Sequence, residues 1–482
     1  MIHPLAAHLV PSLRWDPGHG YAYLDELITE ALEMGVGGFV LPNGPTEDVR
    51  ALTQELHRRS RHPLLIATDA ESGAPFAGST AIPPLLALAA LRDADAVRRA
   101  ARITARELRQ HGVNWALAPV ADLDRAAVNP VLGARTFGSD AQKAAEWVVE
   151  WIDACQAEGV LACAKHFPGF GRATVDPSLA ASSVDAVATT LWNDDLIPFR
   201  GAVDTGVASV MLSSVAYPGL DKSGVAAPRS RPIITELLRD ELHFEGLIVT
   251  DTLGAPGLRQ NEDEGIAAIQ ALAAGADLLL APSDLHGALE TIERGLEGGL
   301  LLPDALESSR NRREFWADWA LPAVLREPTL EDVLWARQIA DTLVHPVKGA
   351  IPNVGPVVDV IQIDDDAKPG WPVPGRGHFV ETLKVLGFDA RLVDRPTPEG
   401  QGAAVLTLFG GPGEGKGRAG YSAETKRRVA QTLAEARQMQ RTVVVLVFGA
   451  PKLVGEIPEA QHVVCCWAGE RGMQEAAARR LV

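Results

Sequence analysis

Polar side chains stand directly after several short apolar runs of this chain. Lys165 and His166 end one run, in the stretch ACAKHFPGFGRATVD, and Asp251 ends another. Asp69 follows a third run, and Arg135 lies in the segment after a fourth. In a parallel barrel, carboxylates, cations and a histidine at the strand ends can bind a polar ligand and carry out acid, base or nucleophilic chemistry. We therefore expect a reactive centre at these strand ends.

The elements that would position these side chains alternate between short apolar runs and helical patterns up to about residue 325. This alternation is typical of βα units and a parallel sheet, and eight such units close a (β/α)8 barrel of ~250 residues or more. The runs predicted as strands are 38–41, 64–68, 113–118, 160–165, 207–212, 247–250 and 278–281, with an eighth near 8–13. We therefore predict an α/β protein with a TIM-like barrel as a catalytic domain over residues 1–325.

A change in composition after the barrel predicts a second domain. A helical pattern at 330–344 is followed by HPVKGAIPNVGP, whose Pro and Gly content marks a boundary. The later apolar runs are 357–363, 404–409, 442–448 and 462–467, and they alternate with helical patterns. We predict a linker helix and loop at 326–350 and an open parallel α/β domain at 351–482.

Charge and composition argue against several classes of partner. The net charge of -17 disfavours a phosphate-binding surface, because nucleic-acid binding needs clustered Lys and Arg. No apolar run is long enough to span a membrane, and the first residues do not resemble a secretory signal. The four cysteines have no CxxC spacing, so we expect them to fill the core. We predict a cytoplasmic protein with a neutral or cationic ligand.

Several longer motifs together resemble the family 3 glycoside hydrolases, which include β-glucosidases and β-N-acetylglucosaminidases. The motifs are LLIATDAESG, VNWALAPVADL, NPVLGARTFGSD, AKHFPGFGRATVD, FEGLIVTD, AGADLLLAP, VVVLVFGAP and CCWAGERGMQEA. The resemblance implies a barrel followed by an α/β sandwich. It also implies that Asp251 is the nucleophile, and that Asp69, Arg135, Lys165 and His166 hold the hydroxyls of the sugar in the first subsite.

General chemistry is consistent with these implied roles. A retaining glycosidase needs an ionised carboxylate and a protonated acid ~5 to 5.5 Å apart. We expect the cations Lys165 and Arg135 to favour the anionic form of Asp251. Arg, Lys and His donate to sugar hydroxyls, whereas Asp69 accepts from them. This chemistry requires no metal and no cofactor.

The loop that follows Lys165 and His166 departs from the family pattern. In the N-acetylglucosaminidase branch, a histidine near the end of this loop protonates the leaving group, paired with an Asp two residues earlier. The matching residues here are Asp176, Pro177 and Ser178. A serine hydroxyl is too weak an acid for this role near neutral pH. We therefore expect the proton donor to come from elsewhere.

The β-glucosidase branch takes its acid from a loop of the second domain, and the matching segment here is PGEGKGR, after the run 404–409. This makes Glu414 the candidate acid/base. Glu424 is the competitor, but it follows a predicted Ser422 cap at a helix start, where the helix dipole explains a carboxylate. The segment GGPGEGK also resembles a phosphate loop, yet Gly417 stands where a hydroxyl residue is needed.

The leading hypothesis is an exo-acting retaining β-glycosidase that hydrolyses terminal β-N-acetylglucosaminides or β-glucosides through a glycosyl-enzyme. The alternative is a family-3-like sugar-binding protein with impaired catalysis, which the residues Asp176 to Ser178 favour. We expect a small carbohydrate as substrate, with neither nucleic acid nor membrane as partner. A homodimer is compatible with the sequence.

Overall fold

The computed structural model describes residues 3–126, 128–320, 326–366, 375–398 and 400–482. The chain packs as two compact units. The first comprises Met1–Thr80, Asp93–Asn129 and Thr136–Pro328, and the second comprises Ala81–Arg92, Pro130–Arg135 and Thr329–Val482. Two short segments that lie early in the sequence thus belong to the second unit. The domain limits at 325 and 351 stay a prediction.

The described part of the first unit contains eight short strands, one at each predicted position. They are β1 (Leu9–Val10), β2 (Gly38–Val40), β3 (Leu65–Thr68), β4 (Trp115–Ala116), β5 (Cys163–Phe167), β6 (Ser209–Leu212), β7 (Leu247–Thr252) and β8 (Leu278–Leu280). The α-helices of this unit are Asp25–Met34, Thr46–Arg59, Ala94–Gln110, Ala141–Gln156, Ala188–Thr190, Ile197–Asp204, Pro256–Arg259, Glu264–Ala274, Leu285–Glu297 and Pro303–Trp319. Two π-helices cover Leu191–Asp195 and Pro232–Glu241.

All strand pairs of this unit are parallel. One sheet has the order β1-β8-β7-β6-β5 and the other the order β2-β3-β4. Single bridges join the two sheets on both sides, Ser12 to Val40 and Trp115 to Leu161. Successive strands are therefore neighbours around a ring. Single bridges rather than continuous hydrogen-bonded ladders connect its two sheets. The predicted α/β fold is confirmed.

Alternate residues of these strands form an apolar core. Leu65, Ala67, Leu247 and Val249 all belong to one buried cluster, as the two-residue period of a strand requires. Trp115 is also buried there, and its indole donates to the Ser209 hydroxyl at 2.8 Å. Each large side chain so buried contributes ~1.5 to 3 kcal/mol. This core holds the strand ends in fixed positions.

The second unit is built on a sheet of six strands among the described residues. The strands are β9 (His345–Lys348), β10 (Val357–Asp364), β11 (Asp389–Leu392), β12 (Ala404–Phe409), β13 (Val443–Phe448) and β14 (His462–Cys465). The α-helices are Leu85–Ala90, Leu330–Leu343, His378–Val385, Ala423–Gln438 and Arg471–Arg480. Buried apolar clusters line both faces of the sheet, and the adjacent Cys465 and Cys466 lie in one of them, as expected.

The sheet order is β11-β10-β12-β13-β14-β9, and β9 is the antiparallel member. β11 and β12, the next two strands along the chain, pair with opposite edges of β10, so the strand order reverses at β10. In open parallel sheets, such a reversal leaves a crevice at the carboxyl ends of the strands. The loops after β10 and β12 therefore lie at the edge where this unit can present functional groups.

The sequence patterns did not predict β9 or β11. β9 contains Pro346 and mostly exposed side chains, and it falls in the predicted linker. β11 buries Ala390 alone among its four residues. Both lie at an edge of the sheet, where little apolar surface is buried and the two-residue pattern is weak.

Asp365, directly after β10, joins this strand to the loop after β12. Its carboxylate accepts hydrogen bonds from the hydroxyls of Ser422 and Thr425, at 2.6 and 2.7 Å, and from the Arg418 guanidinium at 2.7 Å. Burial alone would raise the pKa of Asp365. The hydrogen bonds and the Arg418 charge outweigh it, and they hold the pKa below its ordinary value.

We expect Asp365→Asn to lower the free energy of unfolding by about 2 kcal/mol at pH 7, because the Arg418 charge loses its buried partner. A lowered carboxyl pKa stabilises the fold above the unfolded pKa, near 4, and this stabilisation is lost as the pH falls through the folded pKa. The difference from wild type should thus shrink below about pH 4. Urea unfolding across this range measures it, with exposed Asp394→Asn as control. A constant difference would contradict the ionic role.

Candidate active site

Lys165 lies at the centre of an ion cluster at the carboxyl end of β5. Its ammonium is 2.6 Å from Asp69 and 2.7 Å from Glu71, both after β3. The Lys165 side chain is 2% exposed, whereas that of Asp69 is 59% exposed. Burial with two carboxylates fixes the ammonium, and the exposed Asp69 carboxylate can accept hydroxyl hydrogen bonds from a ligand.

His166, the next residue, is held by a buried carboxylate. Asp122 accepts from the His166 backbone N–H at 3.0 Å and lies 2.7 Å from the ring Nδ1. Its other oxygen accepts from the Phe170 N–H at 2.9 Å, and the Phe170 ring packs edge-on against the imidazole. Because Nδ1 faces Asp122, a ligand would meet the ring at Nε2.

Asp251 projects from the carboxyl end of β7, on the same rim as Lys165. One carboxylate oxygen accepts from the Thr252 N–H at 2.7 Å. The other accepts from the hydroxyl of Ser214, a buried residue just after β6, at 3.3 Å. Donors on both oxygens orient the carboxylate. The ion pairs of Lys165 include Asp69 and Glu71, so its charge is directed at these groups.

The loop after His166 is packed against its neighbours. Gly171 lies so close to the Leu123 carbonyl that a Cβ there would clash. The Asn129 amide donates to the Phe170 carbonyl at 3.0 Å. Arg172 pairs with Asp194 and, at 2.8 Å, with Asp195, both in the π-helix Leu191–Asp195. Arg172 is thus held by an acidic pair on the neighbouring helix.

The far end of this loop lies beside the strand that carries Asp251. The Gly257 N–H, in the helix Pro256–Arg259 after β7, donates to the Pro177 carbonyl at 2.8 Å. A Cβ on Gly257 would clash with this carbonyl and with that of Ser214. The Ser178 hydroxyl donates to Asp176 at 2.6 Å. Ser178 therefore lies near the end of the strand that carries Asp251, without being an acid of useful strength.

Arg135 and Glu414 lie together in the second unit. Arg135 ends the 3₁₀ turn Gly133–Arg135, and Glu414 lies in the loop after β12. The guanidinium Nη1 is 3.9 Å from the Glu414 carboxylate, whose side chain is 49% exposed. The structure thus brings four predicted site residues to the rim of the first unit and the other two together in the second.

Glu424, the competing acid, is explained by its helix. It lies in the first turn of Ala423–Gln438, where Ser422 accepts from the Thr425 N–H as a cap. Its exposed carboxylate pairs with Arg427 one turn later. A carboxylate at a helix start interacts favourably with the helix dipole. The cap predicted at Ser422 is confirmed.

Three partners of the site residues were not assigned a role from the sequence. Glu71 and Asp122 lie in the segments that follow β3 and β4, and this position is the signal that points to them. No sequence pattern distinguishes Ser214 from the other serines of the chain.

Within the described residues there is no group of three or more His, Cys, Asp or Glu side chains arranged to hold a metal ion. Helices long and apolar enough to cross a membrane are likewise absent from the part of the chain that the structure describes.

Comparison with known proteins supplies the family. The family model for the glycosyl hydrolase family 3 N terminal domain matches residues 24–313, more than half of the chain. A β-N-acetylglucosaminidase/β-glucosidase of Cellulomonas fimi is 35% identical over 289 residues, 58% of this chain and 51% of that protein. The match thus spans about half the length of that relative. A β-hexosaminidase of Nitrosomonas eutropha is 32% identical over 250 residues, 50% of this chain and 71% of that one.

A solved structure has the same fold. The glycoside hydrolase family 3 β-N-acetylglucosaminidase of Paenibacillus sp. str. FPU-7 superposes with a TM-score of 0.86, covering 100% of this chain and 96% of that one, at 23% identity. The predicted resemblance is confirmed by the family model, by the sequence relatives and by the fold. The chain belongs to glycosyl hydrolase family 3.

Proposed function

We propose that this protein is an exo-acting β-glycosidase that hydrolyses terminal β-linked sugars with retention, through a glycosyl-enzyme intermediate. The observation that supports it most is Asp251, whose two oxygens are oriented by Thr252 and Ser214 on the rim that also carries the Lys165 cluster. An oriented carboxylate beside donors and acceptors for hydroxyls suits displacement at a sugar carbon.

In the proposed reaction, an Asp251 oxygen attacks the anomeric carbon while the bond to the leaving oxygen breaks. Glu414 gives its proton to that oxygen. Glu414 then takes a proton from water, which attacks the same carbon and releases Asp251. Asp69, Lys165, His166 and Arg135 would bind the sugar hydroxyls.

The names of the relatives are the basis for the substrate class that we propose. The Cellulomonas fimi relative is named for both activities, and the Nitrosomonas eutropha relative is named a β-hexosaminidase. We propose β-N-acetylglucosaminides or β-glucosides as substrates. Nitrophenyl β-glucoside, β-xyloside and β-N-acetylglucosaminide assayed side by side would rank them. Proton NMR of the first-formed sugar should show the β-anomer, and a first-formed α-anomer would contradict retention.

Glu414→Gln tests the acid separately. Without a proton donor, we expect kcat/KM to fall about 10²-fold for a methoxyphenyl glycoside, whose leaving group needs protonation. The loss should be small for a dinitrophenyl glycoside, because that phenol leaves as an anion. Azide should restore turnover of the dinitrophenyl substrate if deglycosylation limits it. Glu424→Gln is the matched control, and equal losses from both variants would contradict the assignment.

A sugar-binding protein with impaired catalysis is the second candidate, favoured by the Ser178 hydroxyl that donates to Asp176 in the place of an acid. If this candidate is correct, calorimetry should show that an iminosugar binds, while the wild-type protein should turn over dinitrophenyl glycosides no faster than the Asp251→Ala variant does. Wild-type turnover well above that of the variant would exclude it.

A further inference from the structure

Glu414 lies on an irregular loop, so its carboxylate needs a means of being held in one place. The loop runs from the end of β12 to the cap Ser422, with no helix or strand between them among these residues. The Glu414 side chain is 49% exposed. An acid must be positioned within hydrogen-bond reach of the leaving oxygen, so loop disorder would cost catalytic rate.

Lys416, two residues later, ties this loop back on itself. Its ammonium donates to the Gly411 carbonyl at 2.6 Å and pairs with the carboxylate of Asp366. The Lys416 N–H donates to the Gly413 carbonyl at 3.2 Å. The Lys416 side chain is 9% exposed. It therefore joins the start of the loop to the segment directly after β10, the strand that pairs with β12.

The Asp366 end of this connection is itself fixed. Arg376 donates to Asp366 at 2.8 Å and to Asp364 at 2.9 Å. The Arg376 guanidinium also lies over the Phe409 ring, 4.4 Å from its centroid, at the last residue of β12. Lys416 is thus bound to a group that the strand ends hold rigidly.

The loop is also held on the other side of Glu414. The Gly413 N–H donates to the Pro130 carbonyl at 2.8 Å. Pro130 begins the segment that ends in Arg135, whose guanidinium lies near Glu414. The residue before Glu414 and the residue two after it are therefore both attached to neighbouring segments.

The contacts of Lys416 do not suit a ligand-binding role. Its ammonium faces Asp366 and a main-chain carbonyl in a buried position. Burial lowers the pKa of Lys416 to about 8, so the ammonium is still mainly protonated and able to donate at pH 7. The helix after the loop begins only at Ala423, too far on for the phosphate-loop arrangement that GGPGEGK suggests.

We propose that Lys416 is a positioning residue that fixes the loop carrying Glu414, an inference that rests on the proposed function of Glu414 as the acid. Lys416 touches no reacting atom in this proposal. Its effect reaches catalysis through Glu414 alone.

The test is Lys416→Met, which keeps the stem of the side chain and removes the charge. We expect kcat/KM to fall about 10-fold for the methoxyphenyl glycoside and less than about 2-fold for the dinitrophenyl glycoside. In the Glu414→Gln background, Lys416→Met should cause no further loss on either substrate. Lys426→Met, which removes an exposed cation paired with Glu456, is the control and should show no such selectivity.

Several outcomes would overturn the inference. Equal losses on both substrates would indicate a general structural defect, and an added loss in the Glu414→Gln background would indicate an independent role. If Glu414→Gln loses more activity on the methoxyphenyl than on the dinitrophenyl glycoside and Lys416→Met does not, the positioning role of Lys416 is wrong while the acid assignment stands. If Glu414→Gln is not selective, the acid assignment fails as well. Should Lys416→Met not fold, Lys416→Gln keeps an amide NH₂ donor group without the charge. We expect this variant to show a smaller selective loss on the methoxyphenyl glycoside, and a Lys416→Gln enzyme with no selective loss would contradict the proposal.

Discussion

Asp251→Ala is expected to lower kcat for aryl β-glycosides on the order of 10⁴-fold, because no covalent intermediate can form without the carboxylate. The loss should be similar for dinitrophenyl and methoxyphenyl glycosides, since both need the nucleophile. This separates Asp251 from Glu414, whose loss depends on the leaving group. Azide should restore turnover and give an α-glycosyl azide, because it attacks from the face that Asp251 vacates.

Asp240→Ala is the matched control for this prediction. Asp240 is an exposed carboxylate of the same unit, in the π-helix Pro232–Glu241. Its removal should leave both kcat and the unfolding midpoint unchanged. An Asp251→Ala enzyme that turned over at the wild-type rate would remove the basis of the proposed mechanism.

Lys165→Met is expected to lower both stability and activity. The change leaves Asp69 and Glu71 facing each other without the shared cation, which costs about 3 kcal/mol in the free energy of unfolding. The interaction of Lys165 with the exposed Asp69 carboxylate is screened by solvent, so most of this cost comes from the loss of the pair with Glu71. We expect kcat/KM to fall about 10³-fold, because a buried donor and the orientation of Asp69 are both lost.

A second substitution separates the two effects. Glu71→Gln in the Lys165→Met background removes one of the facing charges, so urea unfolding should show part of the stability restored. The activity should stay low, because the amide that this second change introduces does not replace the Lys165 donor. Lys143→Met, which removes an exposed cation of the same unit, is the control. Full recovery of kcat/KM in the double variant would mean that Lys165 acts on stability alone.

The strands of both units were predictable wherever they are buried on both faces. The runs of β12 and β13 are buried at every position, and short continuous apolar runs rich in Val and Leu are typical of central parallel strands. β9 and β11 were not predictable, since edge strands bury little and need no such run. The extent to which a strand is buried therefore determines whether its apolar pattern can be recognised in the sequence.

The candidate site was predictable only at the level of strand ends. Lys165 and Asp251 could be placed on one rim, because all parallel strands point their carboxyl ends the same way. That Lys165 pairs with Asp69 and Glu71, or that Ser214 donates to Asp251, depends on side-chain rotamers and on distances between strands. No spacing along the chain encodes these. The expectation that Lys165 and Arg135 favour the anionic form of Asp251 includes none of these pairings, nor that of Arg135 with Glu414.

The two early segments that pack with the second unit limit how this protein can be recombined. Residues 81–92 and 130–135 lie within the sequence of the barrel, yet Ala87 is buried in the core of the second unit. A gene fragment cut after residue 328 would carry these segments without the unit that covers them. The two units are therefore not interchangeable modules, and an exchange between homologous chains would have to transfer three stretches of sequence together.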